Sequence, residues 1–267
     1  MCSGPIRRYG ILALAPLLLV ACSGGGESPG EGSGSPRPSG SMSADPAAGS
    51  EGDGSIDADP ARLPASRSAA LDLIGRVIAD PGSFGPGVVE RSPYESDPAT
   101  WPVLGADCVW RQEKPVSSVL ATVTRSFEVP AAQGKGPIRL SAVMTVHRTR
   151  EDARWEMAES IEETMRCPTQ QLRKGELIGS MVSASLTQGE SAQNNSEDAL
   201  IEAGKYRSAA LGGPHPYLWQ QAQALQFTVA VTGRGAEGRT EREIDALTTQ
   251  AQATMLVRLK SAVEKQS

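Results

Sequence analysis

The chain has 267 residues, 39% of them hydrophobic and only 4% aromatic, with 26 Lys and Arg against 31 Asp and Glu for a formal charge of −5. That acidic balance argues against nucleic acid as a partner and against a polybasic grip on anionic lipid. With four cysteines and two histidines, the chain has little material for a metal centre.

Arg7 and Arg8 precede the apolar run Ile11–Val20, and Ala21-Cys22 closes it. A basic segment, a short apolar segment and a small residue before the cut form a secretory signal peptide over residues 1–21. The run is shorter than the ~20 apolar residues a membrane span needs. Leu19-Val20-Ala21-Cys22 resembles the lipobox of bacterial lipoproteins. The resemblance implies that the Cys22 thiol takes a diacylglyceryl group and that the peptide is cut just before it. The lipid on Cys22 is then the membrane attachment, at the extracytoplasmic face of the cell membrane. The excess of Arg over Lys and the abundance of Ala and Gly suit an actinobacterial origin.

Residues 22–62 consist mostly of Gly, Ser, Pro, Ala and a few acids. They offer almost nothing to bury, so they are expected to form a disordered tether with a root-mean-square reach of about 35 Å. Cys2 leaves with the signal and Cys22 carries lipid, so Cys108 and Cys167 remain in an oxidising compartment and are expected to pair. The alternatives are two free thiols or a metal pair. Metal is disfavoured because only His147 and His215 could assist, and neither has ligand spacing to a cysteine.

Residues 63–267 read as one α+β domain. Ser66–Ala79 carries Ala70, Leu71, Ile74, Val77 and Ile78 at helical spacing and stops at Asp80-Pro81-Gly82. A Pro/Gly-rich stretch to Gly105 is expected to be irregular. Cys108 and Trp110 are placed two apart on one strand face, with Trp110 assigned to core packing. Val116–Val129 and Ile138–His147 both alternate, with Arg125 the one polar intruder, and form an antiparallel hairpin. Thr149–Asp152 resembles a capping box, and Ala153, Met157, Ile161 and Met165 then run down a helix that ends at Cys167-Pro168. Strands are expected within 170–188, split by Gly179, and over Ala199–Ala210. An exposed polar loop lies at 189–197 and a rigid turn at Gly212–Pro216. Leu225, Phe227, Val229 and Val231 alternate in a last strand. The capping box Thr240–Glu243 opens a terminal helix with the stripe Ile244, Leu247, Ala251, Met255, Leu259 and Val263.

Nothing in this order assembles catalytic chemistry. No nucleophile elbow, zinc-protease helix or phosphate loop occurs, and Gly233–Gly238 ends before the helix cap. Glu162 and Glu163 are adjacent on a helix and read as a solvated face. His147 and His215 have no acidic orienter nearby in sequence. The expectation is therefore no enzyme, no cofactor and no metal.

The helix ending in Arg166-Cys167-Pro168 and the strand Ala224–Gly233 leading to a long C-terminal helix resemble the extracellular sensor domains of PknH-type receptor kinases. The resemblance implies an antiparallel sheet packed by helices, with a cleft for an unidentified ligand. It also implies a second disulfide, for which this chain lacks the cysteines. The leading expectation is a non-catalytic, membrane-anchored sensor or ligand-binding lipoprotein, with Trp101, Trp155 and Trp219 as the aromatic candidates for a cleft. The alternatives are an envelope scaffold that binds a protein partner and a hydrolase acting on wall material.

Overall fold

The computed structural model describes residues 56–185 and 195–265. The signal peptide, Cys22 and the tether up to residue 55 lie outside the described residues, as does most of the polar loop expected at 189–197. In chain order the elements are α1 (Arg67–Val77), α2 (Pro81–Phe84), β1 (Val89–Glu95), β2 (Trp101–Leu104), β3 (Trp110–Glu113), β4 (Val119–Val129) and β5 (Ile138–His147). There follow α3 (Arg150–Arg166), β6 (Gln170–Arg173), β7 (Glu176–Ser185), β8 (Asp198–Ser208), β9 (Gly212–Ala224), β10 (Phe227–Arg234) and α4 (Glu241–Val263). Among the described residues, eight strands form one antiparallel sheet in the order β1-β4-β5-β10-β9-β8-β7-β6, and β2 and β3 form a separate hairpin. The α+β class is as the sequence predicts.

The sheet is covered on both faces, and the alternation of its central strands explains how. In β10 the residues Phe227, Val229 and Val231 join Ile244, Met255 and Leu259 of α4 in the main core, with α1 and α2 beside them. Thr228, Ala230 and Thr232 of the same strand point to the opposite face and are also buried. β4 and β5 pair as expected, Val123 opposite Met144 and Phe127 opposite Leu140. Phe127 is fully buried, with the Phe84 ring 4.7 Å away and the Tyr94 ring 5.5 Å away. Arg125 sits at the rim of this core, where it donates to Glu95 Oε2 at 2.9 Å and to the Ala79 carbonyl at 3.3 Å. α4 packs tightly over Gly233: a Cβ there would stand 2.1 Å from Ile244 Cγ2.

Both capping boxes form, Thr149 with Asp152 and Thr240 with Glu243. The stripe on α3 departs from expectation. Ala153 and Met157 are buried, but Met165 is 78% exposed and Thr164 is buried in its place. Each step of four residues turns about 40° past a full turn, so three such steps carry Met165 about 120° away from Ala153. On α4 the expected residues are buried except Leu247, which is only partly so; Thr248, Gln252 and Leu256 complete that face.

Several boundaries differ from the sequence reading. Ile56–Arg62, expected in the tether, belongs to the fold. Ile56 is buried, Ala58 bridges to Glu264, and the Asp59 N–H donates to the Val263 carbonyl at 2.8 Å. Asp80-Pro81-Gly82 does end α1, but Asp80 also caps α2 through a reciprocal bond with Ser83. The Pro/Gly-rich stretch before Gly105 contains β1 and β2. Gly175, not Gly179, turns the chain between β6 and β7, while Gly179 begins an irregularity inside β7. Gly212–Pro216 opens β9, and Leu225 is in a left-handed turn ahead of β10.

Candidate functional site: a roofed cavity on the second sheet face

The expected disulfide is present: Cys108 and Cys167 are bonded, with their Cα atoms 5.5 Å apart. Cys108 has φ 61° in the turn before β3, so it does not share a strand face with Trp110. Cys167 is the C-cap of α3. The bond therefore pins the β2–β3 hairpin to the end of α3. Three hydrogen bonds reinforce it: Gln171 N–H to the Cys108 carbonyl at 2.8 Å, Arg166 to the Gly105 carbonyl at 3.2 Å, and Trp110 Nε1 to Gln170 Oε1 at 2.8 Å.

Beneath this hairpin lies a cavity of about 320 Å3. Its roof is Trp101, Pro102, Val103 and Trp110. Its floor is the second face of the sheet, with the hydroxyls of Thr122, Thr145 and Thr228 beside Val143, Ala230 and Trp219. The side wall is one face of α3, where Glu156, Glu159, Ser160 and Glu163 stand at helical spacing i, i+3, i+4 and i+7. The buried indole N–H of Trp219 has no partner among the described residues.

The three wall carboxylates have different surroundings. Glu156 is fully engaged: Oε2 meets His147 Nε2 at 2.6 Å and accepts from Thr228 Oγ1 at 2.9 Å, and Oε1 accepts from Gln221 Nε2 at 2.8 Å. His147 thus has the acidic partner that the sequence did not reveal. The order is hydroxyl, carboxylate, imidazole, whereas a catalytic triad needs the imidazole between the other two. Glu159 and Glu163 have no ion pair or side-chain hydrogen bond to any described residue. Burial pushes the Glu163 carboxyl up to about 7, and the neighbouring charge of Glu159 adds to that, with Arg166 pulling the other way. Behind it, burial also raises Glu202, although Glu202 accepts from Thr164 Oγ1 at 2.7 Å.

Past Trp110 and Trp219 the cavity's surroundings continue to Tyr217 and Arg234. There the positive charge is gathered onto Glu176, which accepts from Arg139 at 2.9 Å and Arg173 at 2.5 Å and has Arg234 at 3.5 Å. Burial works to raise the Glu176 carboxyl, but the Arg173 hydrogen bond and the three guanidinium charges hold it below its ordinary value.

Of the aromatic candidates, Trp101 and Trp219 line the cavity and Trp155 does not: it is 66% exposed on the outer side of α3. Trp110, assigned to core packing, is a cavity residue instead. Glu163 also departs from expectation, since it faces the cavity while Glu162 faces solvent. His215 lies in β9 with its ring nitrogen near the Leu211 carbonyl and takes no part. Among the described residues no group of three or more His, Cys, Asp and Glu side chains is placed to hold a metal ion.

These features define an α+β domain with a disulfide-pinned hairpin roofing one cavity on its sheet. No known family pattern and no curated protein matches the chain. Among solved structures, the chain is similar to the extracellular domain of PknH from Mycobacterium tuberculosis. The identity is 10% over 72% of this chain and 98% of that one, with a TM-score of 0.43. It is also similar to an uncharacterised Mycobacterium smegmatis protein, an Rv0999 ortholog, at 13% identity over 74% of this chain and 98% of that one, with a TM-score of 0.32.

Proposed function

We propose that the protein is a membrane-anchored lipoprotein, held by a lipid on Cys22 at the extracytoplasmic face of the cell membrane, whose folded domain is a non-catalytic sensor or ligand-binding module. The observation that carries the binding reading is the cavity itself. It is concave, walled by three tryptophans and supplied with a few polar groups, the hydroxyls of Thr122, Thr145, Ser160 and Thr228 among them. Its carboxylates all come from α3, so they do not oppose one another across the space as a glycosidase pair does. The membrane reading rests on the lipobox resemblance of Leu19–Cys22.

The test is native mass spectrometry of the full lipoprotein extracted from its own envelope in mild detergent. A bound small molecule that is lost on denaturation, and lost again in a Trp219→Ala variant, is the expected result. A clean mass in both would overturn the binding reading. Fatty-acid labelling that survives Cys22→Ala would overturn the anchor. The scaffold alternative is favoured by one observation: Trp155 and Met165 are exposed on α3. Crosslinking in the intact envelope through position 155 tests it.

A further inference from the structure

The composition of the cavity wall says what kind of ligand it suits. Among the described residues lining it are three glutamates and three tryptophans, and no Lys, Arg or His. Glu156 is saturated by His147, Gln221 and Thr228, and therefore acts as structure. Glu159 and Glu163 are not: both line the space, and among the described residues no counter-charge is bonded to them, Arg166 acting on Glu163 only at a distance. A half-buried carboxylate with a second, exposed one four residues away beside an aromatic surface attracts cations. The faces of indole rings do the same through the ring quadrupole. A metal ion is the wrong occupant, because the described residues offer no convergent set of three ligands. An anion is opposed by the carboxylates of the wall, and the arginines around Glu176 lie outside the cavity's lining.

We infer that the ligand of this cavity is an organic ammonium cation, held by Glu159 and Glu163 on one side and by the Trp101, Trp110 and Trp219 rings on the other. This rests on the binding reading above, and it adds the charge class.

The inference has a pH signature, since a cation binds the ionised form of Glu163. The groups facing Glu163 are Glu156, Glu159 and Arg166 on α3, Glu202 on β8 and Tyr217 on β9. His147 on β5 is bonded to Glu156. Affinity for the cation should therefore rise as pH increases through about 7, the value to which burial lifts Glu163.

The experiment uses the full lipoprotein in detergent and reads tryptophan fluorescence and calorimetry. The probes are choline, benzyltrimethylammonium and glucosamine, with the uncharged tert-butyl isosteres of the first two and N-acetylglucosamine as controls. At least one ammonium probe should bind about tenfold or more tighter than its uncharged counterpart. Its affinity should fall by a similar factor in Glu159→Gln and Glu163→Gln, and Glu163→Gln should abolish the pH dependence. Glu162→Gln, on the exposed side of the same helix, should change nothing. Equal binding of charged and uncharged probes at the tryptophans, or tighter binding of the uncharged ones, overturns the charge class and leaves the cavity reading standing. No binding by any ammonium probe also overturns the charge class. If the native mass spectrum described above is clean as well, the cavity reading falls separately.

Discussion

Replacing Glu163 by Gln should make the protein more stable above neutral pH and leave it unchanged in acid. Burial and the adjacent Glu159 lift the Glu163 carboxyl from 4.5 to about 7, so between those values the folded state holds a proton that the unfolded chain releases. The stability this contributes is fully present below about pH 4.5 and is lost as pH rises through about 7. The full shift corresponds to roughly 3 kcal/mol. Because the side chain is only partly buried, water screening trims this to roughly 1–2 kcal/mol. Glutamine fills the same space and carries no charge to desolvate, so the penalty disappears. Urea unfolding of both proteins at intervals from pH 4.5 to 8 provides the assay, with the difference between the two curves cancelling every other titrating group. The difference should be near zero at the acid end and reach roughly 1–2 kcal/mol in favour of Glu163→Gln at pH 8. Parallel curves, or a variant less stable at pH 8, would show that the carboxylate is not desolvated in the cavity.

Removing the disulfide by Cys108→Ser with Cys167→Ser should cost up to about 4 kcal/mol for a loop closed over 59 residues. Amide exchange should rise chiefly in β2 and β3, since the bond is what pins them. Glu156→Ala strands the side chains of His147, Gln221 and Thr228, and urea unfolding should show a loss of roughly 2–4 kcal/mol. Glu159→Ala, on the exposed part of the same wall, should stay within about 0.5 kcal/mol. Gly233→Ala should lower the thermal midpoint, because the new methyl needs Ile244 and α4 to move outward, at a cost of roughly 1–3 kcal/mol.

The elements that could be read from the chain are those in which one signal dominates. Val119–Val129 and Ile138–His147 alternate because one face of each meets the main core. Thr149-Asp152 and Thr240-Glu243 announce their helices through caps that act locally. β1 and β2 were hidden for the opposite reason. β1 is an edge strand that tolerates Pro93, and β2 belongs to a half-exposed hairpin with no strict inside and outside. The opening of β9 was hidden too: residues 212–216 run past the end of β10, so the prolines there do not interrupt the central ladder. The cavity was half visible. Glu156, Glu159, Ser160 and Glu163 share a helix face by simple spacing, a signal that the adjacency of Glu162 and Glu163 obscures. The aromatic lining left no such trace, because Trp101 and Trp110 of the roof and Trp219 of the floor come from three strands whose meeting depends on the disulfide and the sheet order.

The segment before α1 bears on how the molecule behaves under load. Ile56–Arg62 enters alongside the last turn of α4, held by Asp59 N–H to Val263, by Lys265 N–H to the Asp57 carbonyl at 3.0 Å, and by the Lys265–Asp57 ion pair at 2.7 Å. α4 lies on the sheet face opposite the cavity. A pull on the chain ahead of Ile56 is thus taken first by a short zipper of backbone bonds on the far side of the sheet. The hairpin and α3, clamped to each other covalently, stand outside that line of force. The pocket is mechanically insulated from the N-terminal edge of the fold. A single-molecule pull from that end should peel off residues 56–62 before it changes ligand affinity.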